Sequence, residues 1–151
     1  MMLKEGDRVD DFQAVNHNGE LVKFSDMLAS GPVVVFFYPF AFSYGCTRQS
    51  CHFRDLRSEF AALGAQIVGV SGDSWQRLNR FHKVNSFGFT LLNDSKRQLG
   101  KIFGVVRWFK FLPKRATFVV TTDSIVLHVV HSETNMHSHA DQALEVLRTH
   151  I

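Results

Sequence analysis

Cys46 and Cys51 are the strongest side-chain nucleophiles this 151-residue chain has to offer. A cysteine attacks as its thiolate, and a helix amino terminus or a neighbouring cation makes that form easier to reach. Ser43, three residues before Cys46, can set a hydroxyl beside the sulfur, and Gly45 keeps side-chain bulk off its approach. A guanidinium such as that of Arg115 would stabilise both a thiolate and a bound oxygen atom. Singly, each residue has a plainer role. A free cysteine is usually a small buried hydrophobe, a serine caps a loop, and an arginine joins a surface ion pair. Convergence of the three would point to thiol chemistry. Cys51 follows Cys46 by five residues, which is neither the C-x-x-C of dithiol oxidoreductases nor a zinc-ligand spacing.

The elements needed to bring these residues together can be read along the chain. Residues Phe12 to Phe24 read as a hairpin turning at Asn18-Gly19, and Ser25 or Asp26 can cap a short helical turn before Gly31-Pro32. Val33 to Tyr38 is an unbroken apolar run, the pattern of a strand buried on both faces, and it ends just before Cys46. From Cys46 the period becomes helical, with Phe53, Leu56, Phe60 and Leu63 on one stripe that Gly64 ends. Gln66 to Val70 predicts a second buried strand, and Ser74 a cap for a helix burying Trp75, Leu78 and Phe81. A helix opening at Asp94 or Ser95 runs to about Gly104. Ala116 to Val120 is a third buried strand, Ile125 to Val130 its hairpin partner, and Ser138 with Asp141 resembles a capping box for a last helix through Leu147. That order predicts one domain over residues 1–151, a thioredoxin-like α/β sandwich: a central mixed sheet flanked by helices, with an N-terminal β-hairpin. In such a layout Cys46 opens a helix beyond the carboxyl end of a strand, and Arg115, at the start of the third buried strand, lies close to it.

Composition narrows the alternatives. No apolar run approaches the roughly 20 residues of a membrane span, and the amino terminus lacks the apolar stretch of a secretory signal. The expectation is a cytoplasmic protein without membrane contact, in which two cysteines are catalytic rather than structural. The net charge of +3 is uneven: Lys96, Arg97, Lys101, Arg107, Lys110, Lys114 and Arg115 lie in one stretch with Phe103, Trp108, Phe109 and Phe111, and no acid interrupts them. A solvated positive face is the simpler reading, and no nucleic-acid partner is expected. His52 beside Cys51 lacks further ligands at useful spacing, and His128 and His131 fall on opposite faces of a strand. Only His137 and His139 could converge, so neither a metal nor a cofactor is expected.

The segment from Pro39 through Ser43 to Cys46 and Thr47 resembles the peroxiredoxin active-site signature P-x-x-x-[TS]-x-x-C, and Cys51 matches the second cysteine of the peroxiredoxin Q, or bacterioferritin comigratory protein, group. The resemblance extends through Phe53-Arg54-Asp55, Val70 to Ser74, Leu91 to Asp94 and Leu112 to Phe118. It implies a thiol peroxidase of the atypical 2-Cys type, serving antioxidant defence and redox homeostasis. Cys46 would attack a hydroperoxide and become a sulfenic acid, with Ser43 and Arg115 holding the peroxide and Pro39 shielding the acid from water. Cys51 would resolve it as an intramolecular disulfide, reopened by thioredoxin or a similar dithiol. The expected assembly is a monomer or at most a weak dimer.

Two positions depart from the family pattern. Gln49 stands where relatives commonly carry Glu; it can accept a hydrogen bond but brings no negative charge, so the pocket should be more positive. Tyr44 stands where Pro is common, which loosens the helix entry. A competing reading is a thioredoxin-like binding module that uses its basic aromatic face for nucleic acid or an acidic protein; peroxide turnover with a thiol reductant separates the two.

Overall fold

The computed structural model describes residues 2–106 and 113–150. Seven strands form one mixed sheet in the order β2-β1-β5-β4-β3-β6-β7. The strands are β1 (Gln13–Asn16), β2 (Leu21–Lys23), β3 (Val33–Phe37), β4 (Gln66–Ser71), β5 (Thr90–Asn93), β6 (Ala116–Val120) and β7 (Val126–His131). The helices are α1 (Phe24–Ser30), α2 (Tyr44–Asp55), α3 (Arg57–Ala62), α4 (Trp75–Asn85), α5 (Gln98–Phe103) and α6 (Met136–His150). This is the α/β sandwich expected, with the N-terminal hairpin at one edge of the sheet.

Strand alternation makes two cores from one sheet. Val34, Phe36 and Tyr38 point to one face, where they meet Phe53 of α2, Phe60 of α3, Leu78 and Phe81 of α4, and Ala143 and Leu147 of α6. Val33, Val35 and Phe37 point to the other, against Phe24 and Leu28 of α1 and Leu99 and Phe103 of α5. Every residue of β3 is buried because both faces are covered.

Strand pairing then sets where the site falls. β3 runs parallel to β4 and antiparallel to β6, with Phe36 opposite Thr117. The start of β6 therefore lies beside the end of β3, so Arg115 and the chain leading to Cys46 leave the sheet at the same edge.

Several sequence expectations need correction. The stripe from Phe53 to Leu63 belongs to two helices, because α2 ends at Asp55 and α3 begins at Arg57, with Leu56 between them; the stripe continues through the break, so periodicity does not register it. Trp75 is 38 % exposed and covers Gly19 of the hairpin turn instead of facing inward. Strand β5 was not expected, since TLLN offers too short a pattern to read. Ser74 caps α4 as expected, while the other helix starts differ from expectation. Helix α1 begins at Phe24 without a side-chain cap of its own, and Asp11 accepts from the Ser25 N–H. Helix α5 begins at Gln98, with Asp94 accepting from the Leu99 and Gly100 N–H groups. Helix α6 begins at Met136 and Asn135 accepts from Ser138 N–H, so Ser138 lies inside the helix. Of the basic aromatic stretch, Arg107, Trp108, Phe109, Lys110 and Phe111 lie outside the described residues.

His139 ties α6 to the strands behind Arg115. It is fully buried, its Nε2 is 2.8 Å from the Ser132 carbonyl and its Nδ1 is 2.8 Å from Thr117 Oγ1. A neutral ring satisfies both, donating to the carbonyl and accepting from the hydroxyl. Burial, assisted by the nearby Arg115 charge, pushes His139 down from 6.5 to about 4. Below pH 6.5 the unfolded chain takes a proton that the folded chain refuses until about pH 4, so stability falls as pH drops through that window. The full loss is on the order of 3 kcal/mol. Urea unfolding of the wild type and of His139→Gln from pH 7 to pH 4 should show a shallower fall for the variant; parallel curves would contradict this account.

Candidate active site

Cys46 is held at the first turn of α2. Ser43 is the N-cap, in extended conformation, and its Oγ accepts from the Cys46 N–H at 3.4 Å while donating to the Phe40 carbonyl at 3.1 Å. The loop before it contains Phe42 at φ 67°, a left-handed conformation that costs a bulky residue energy. Packing holds it there: its ring lies 5.0 Å from that of Phe81, and the Arg77 guanidinium lies 5.0 Å above it. Asp73 secures the same loop. Its carboxylate accepts from Ala41 N–H at 2.7 Å, Ser71 Oγ at 2.7 Å and Arg77 Nε at 3.1 Å.

Arg115 arrives from the start of β6. Its Nη1 donates to Cys46 Sγ at 3.4 Å and to Gln49 Oε1 at 2.6 Å. Cys46 and Gln49 are fully buried and Arg115 is 8 % exposed. Three residues separate Cys46 from Gln49, the helical spacing that puts both on one face. A buried guanidinium keeps its charge, so the hydrogen bonds that the sulfur and the Gln49 oxygen accept from it help offset its desolvation. The Arg115 backbone N–H donates in turn to Glu133 Oε2 at 3.0 Å, which fixes where the strand begins. A Cβ on Gly45 would lie 3.5 Å from Arg115 Nη2 and Met136 Sδ, an ordinary contact, so the glycine leaves room there without being sterically required.

Three of the expected site residues thus meet: Cys46, Ser43 and Arg115. Pro39 stands at the head of the same loop, half-buried. Cys51 does not join them. Both cysteines are free, and the Cys51 Sγ donates to Asn85 Oδ1 at 3.5 Å, on the α4 side of the helix. Burial pushes its thiol up; Arg54 acts against that and Asp55 with it. His137 and His139 do not converge: His137 stacks on His52 at 4.1 Å, and His139 is the buried tie described above. The sequence reading missed Asp73 as the anchor of the loop. Its signal was available in the Asp73…Arg77 pair at helical spacing beside the Ser74 cap.

A seven-stranded sheet whose third strand delivers a cysteine to a helix start, met by an arginine from an antiparallel neighbour, places the chain in a known class. Residues 6–129 match the AhpC/TSA family, and the chain belongs to that family. More particularly, it is a peroxiredoxin similar to those of the Q and Bcp groups. It is 35% identical over 148 residues to peroxiredoxin Q of Sedum lineare chloroplasts, covering 97% of this chain and 79% of that one. It is 33% identical over 154 residues to peroxiredoxin Bcp of Escherichia coli, covering 98% of this chain and 97% of that one. The crystal structure of peroxidoxin BcpB from Mycobacterium tuberculosis superposes with a TM-score of 0.93 at 45% identity, over 99% of this chain and 98% of that one.

The cap geometry makes a prediction. Ser43→Ala should destabilise the protein by about 1 kcal/mol by leaving the Cys46 N–H without its acceptor, and Ser43→Thr should restore most of it. Denaturant midpoints decide; an alanine variant as stable as the wild type would remove the capping role.

Proposed function

We propose that this peroxiredoxin reduces hydroperoxides at Cys46, with Cys51 resolving the product as an intramolecular disulfide and a thioredoxin-like dithiol completing the cycle. The contact between Arg115 Nη1 and Cys46 Sγ at 3.4 Å, inside a buried helix start, carries the reading. The Cys46 thiolate attacks the terminal oxygen of ROOH, the O–O bond breaks, and the leaving alkoxide takes up the proton the thiol gave up, so the products are the sulfenic acid and ROH. Arg115 donates to the developing negative charge, while Ser43 caps the helix whose positive end carries the sulfur. Pro39 and the packed loop limit water. The Cys51 thiol then displaces hydroxide from the sulfenic sulfur as water, and the reductant exchanges its two thiols for the disulfide. Such a cycle suits a compartment stocked with dithiol reductant, and the cytosol is the one proposed; no described helix is long and apolar enough to cross a membrane.

Two variants test the roles of the sulfurs. Cys46→Ser should abolish peroxide turnover with the fold intact. Cys51→Ser should consume about one equivalent and then accumulate over-oxidised Cys46, read by mass spectrometry. Sustained thioredoxin-driven turnover by the second variant would mean that another thiol resolves Cys46.

Helix geometry adds a constraint. Both cysteines lie within α2, where residues five apart are separated by about 7.5 Å of rise and roughly 140° of rotation. Their Cα atoms are then roughly 8–9 Å apart, beyond the ~7 Å a disulfide tolerates. The start of α2 must unwind before the bond can form. Hydrogen exchange should show protection over the first turns of α2 lost on disulfide formation and regained on reduction. Equal protection in both states, with the disulfide confirmed by mass, would overturn the model.

A further inference from the structure

Helix α2 is held unequally along its length. Its first turn is lightly secured: Tyr44 is 79 % exposed, Ser43 supplies the cap, and Arg115 reaches in from β6 to the Cys46 sulfur. The far end is fixed on several sides. Phe53 is fully buried and stacks on Phe36 with ring centroids 4.3 Å apart. Arg54 Nη1 donates to the Asn85 carbonyl at 2.9 Å, and Cys51 Sγ donates to the Asn85 side chain at 3.5 Å. Just beyond the helix, Arg57 Nη1 donates to the carbonyls of Ser86 and Phe87 at 3.0 and 3.1 Å. Asn85 closes α4, and Ser86 leaves it in the left-handed conformation. The last carbonyls of a helix lack partners within it, and cationic donors suit them.

We propose that Arg54 is a positioning residue for the resolving step: by tying α2 to the end of α4, it halts unwinding at Cys51 and keeps that sulfur fixed while Cys46 travels to it. The inference rests on the reading of Cys51 as the resolving cysteine. The step itself is balanced within the chain. The Cys51 sulfur bonds to the Cys46 sulfur, the S–O bond of the sulfenic acid breaks, and oxygen leaves with the thiol proton as water. Residues 47–50, once out of the helix, are long enough to let Cys46 reach a stationary Cys51, since an extended chain covers about 3.3–3.6 Å per residue. Fixing one reactant raises its effective concentration for the other. The Arg54 charge acts in the same direction, because it opposes the effect of burial on the Cys51 thiol.

The test splits the two chemical steps in the full-length protein. Wild type, Arg54→Met and Arg54→Lys are mixed with one equivalent of hydrogen peroxide, quenched with a thiol-blocking reagent and read by mass spectrometry. For Arg54→Met, peroxide consumption should stay within about twofold of wild type while disulfide formation slows about tenfold, with more sulfinic acid formed at excess peroxide. Arg54→Lys, which keeps the charge but not the planar fork, should fall between the two, and it carries the kinetic test if the methionine variant does not fold. Hydrogen exchange on the oxidised wild type should lose protection at the amides of residues 47–54, whose acceptors are the carbonyls of residues 43–50, and keep it at residues 55 and 56, whose acceptors are Cys51 and His52; in Arg54→Met the loss should run through residue 56. Disulfide formation at the wild-type rate in a folded Arg54→Met would overturn the proposal. So would an equal slowing of both steps, or an oxidised wild type whose amides at residues 55 and 56 also exchange freely. A wild type that forms no Cys46–Cys51 disulfide would instead refute the resolving role of Cys51, and the inference would fall with it.

Discussion

The buried guanidinium of Arg115 is the constraint around which this end of the protein is built. It carries a permanent charge at 8 % exposure, and its side-chain partners are a thiol sulfur and a neutral amide. Removing such a charge from water costs several kcal/mol unless an anion and hydrogen bonds compensate it. Gln49 supplies a hydrogen bond without a charge, and the Cys46 sulfur accepts another from the same nitrogen. The antiparallel pairing of β3 with β6 makes the meeting possible, because it returns the start of β6 to the edge from which the Cys46 loop departs. Glu133 on the Arg115 backbone N–H and His139 behind it hold that edge in register.

In the proposed cycle the same helix that presents Cys46 to Arg115 must also give way. An intact first turn places the sulfur at the positive end of the helix, yet keeps the two cysteines too far apart to bond. A site of this kind needs a first turn that is well formed and weakly held. Phe42 meets that need: its left-handed backbone is maintained by the Phe81 ring and the Arg77 guanidinium rather than by its own preference. Tyr44 contributes by its exposure, since a helical residue with so little packing adds little to the turn it begins.

The parts legible in the sequence are those whose signal is local. β3, β4 and β6 declare themselves as continuous apolar runs because both faces of the sheet are covered, and Ser74 is a true cap for α4. What was hidden depends on partners distant in sequence. Asp11 serves the start of α1 from beyond the hairpin, fourteen residues away. Trp75 has the spacing of a core residue but is drawn outward by the glycine turn it covers. For the site, Cys46 and Ser43 follow from position in the chain, and Arg115 from the layout that the element order implies. The hold of Asn85 and Arg54 on the far end of α2 has no sequence signature at all, because it joins two helix ends thirty-one residues apart.

Two cysteines five residues apart are chemically identical until the fold separates them. Cys46 has the helix start and a guanidinium; Cys51 has a half-buried setting that pushes its thiol up, with Asp55 adding to the effect. In the proposed cycle, peroxide therefore meets a prepared sulfur at Cys46 and an unprepared one at Cys51. The asymmetry changes as the cycle proceeds. Unwinding the first turns of α2 brings water to the segment beside Cys51, which weakens the burial that holds its proton, while the Arg54 charge stays in place. In the proposed cycle the resolving sulfur becomes a competent nucleophile at the stage when a sulfenic acid can reach it. The order of the two steps is then a property of the helix: one sulfur is activated by the folded turn, and the other by its loss.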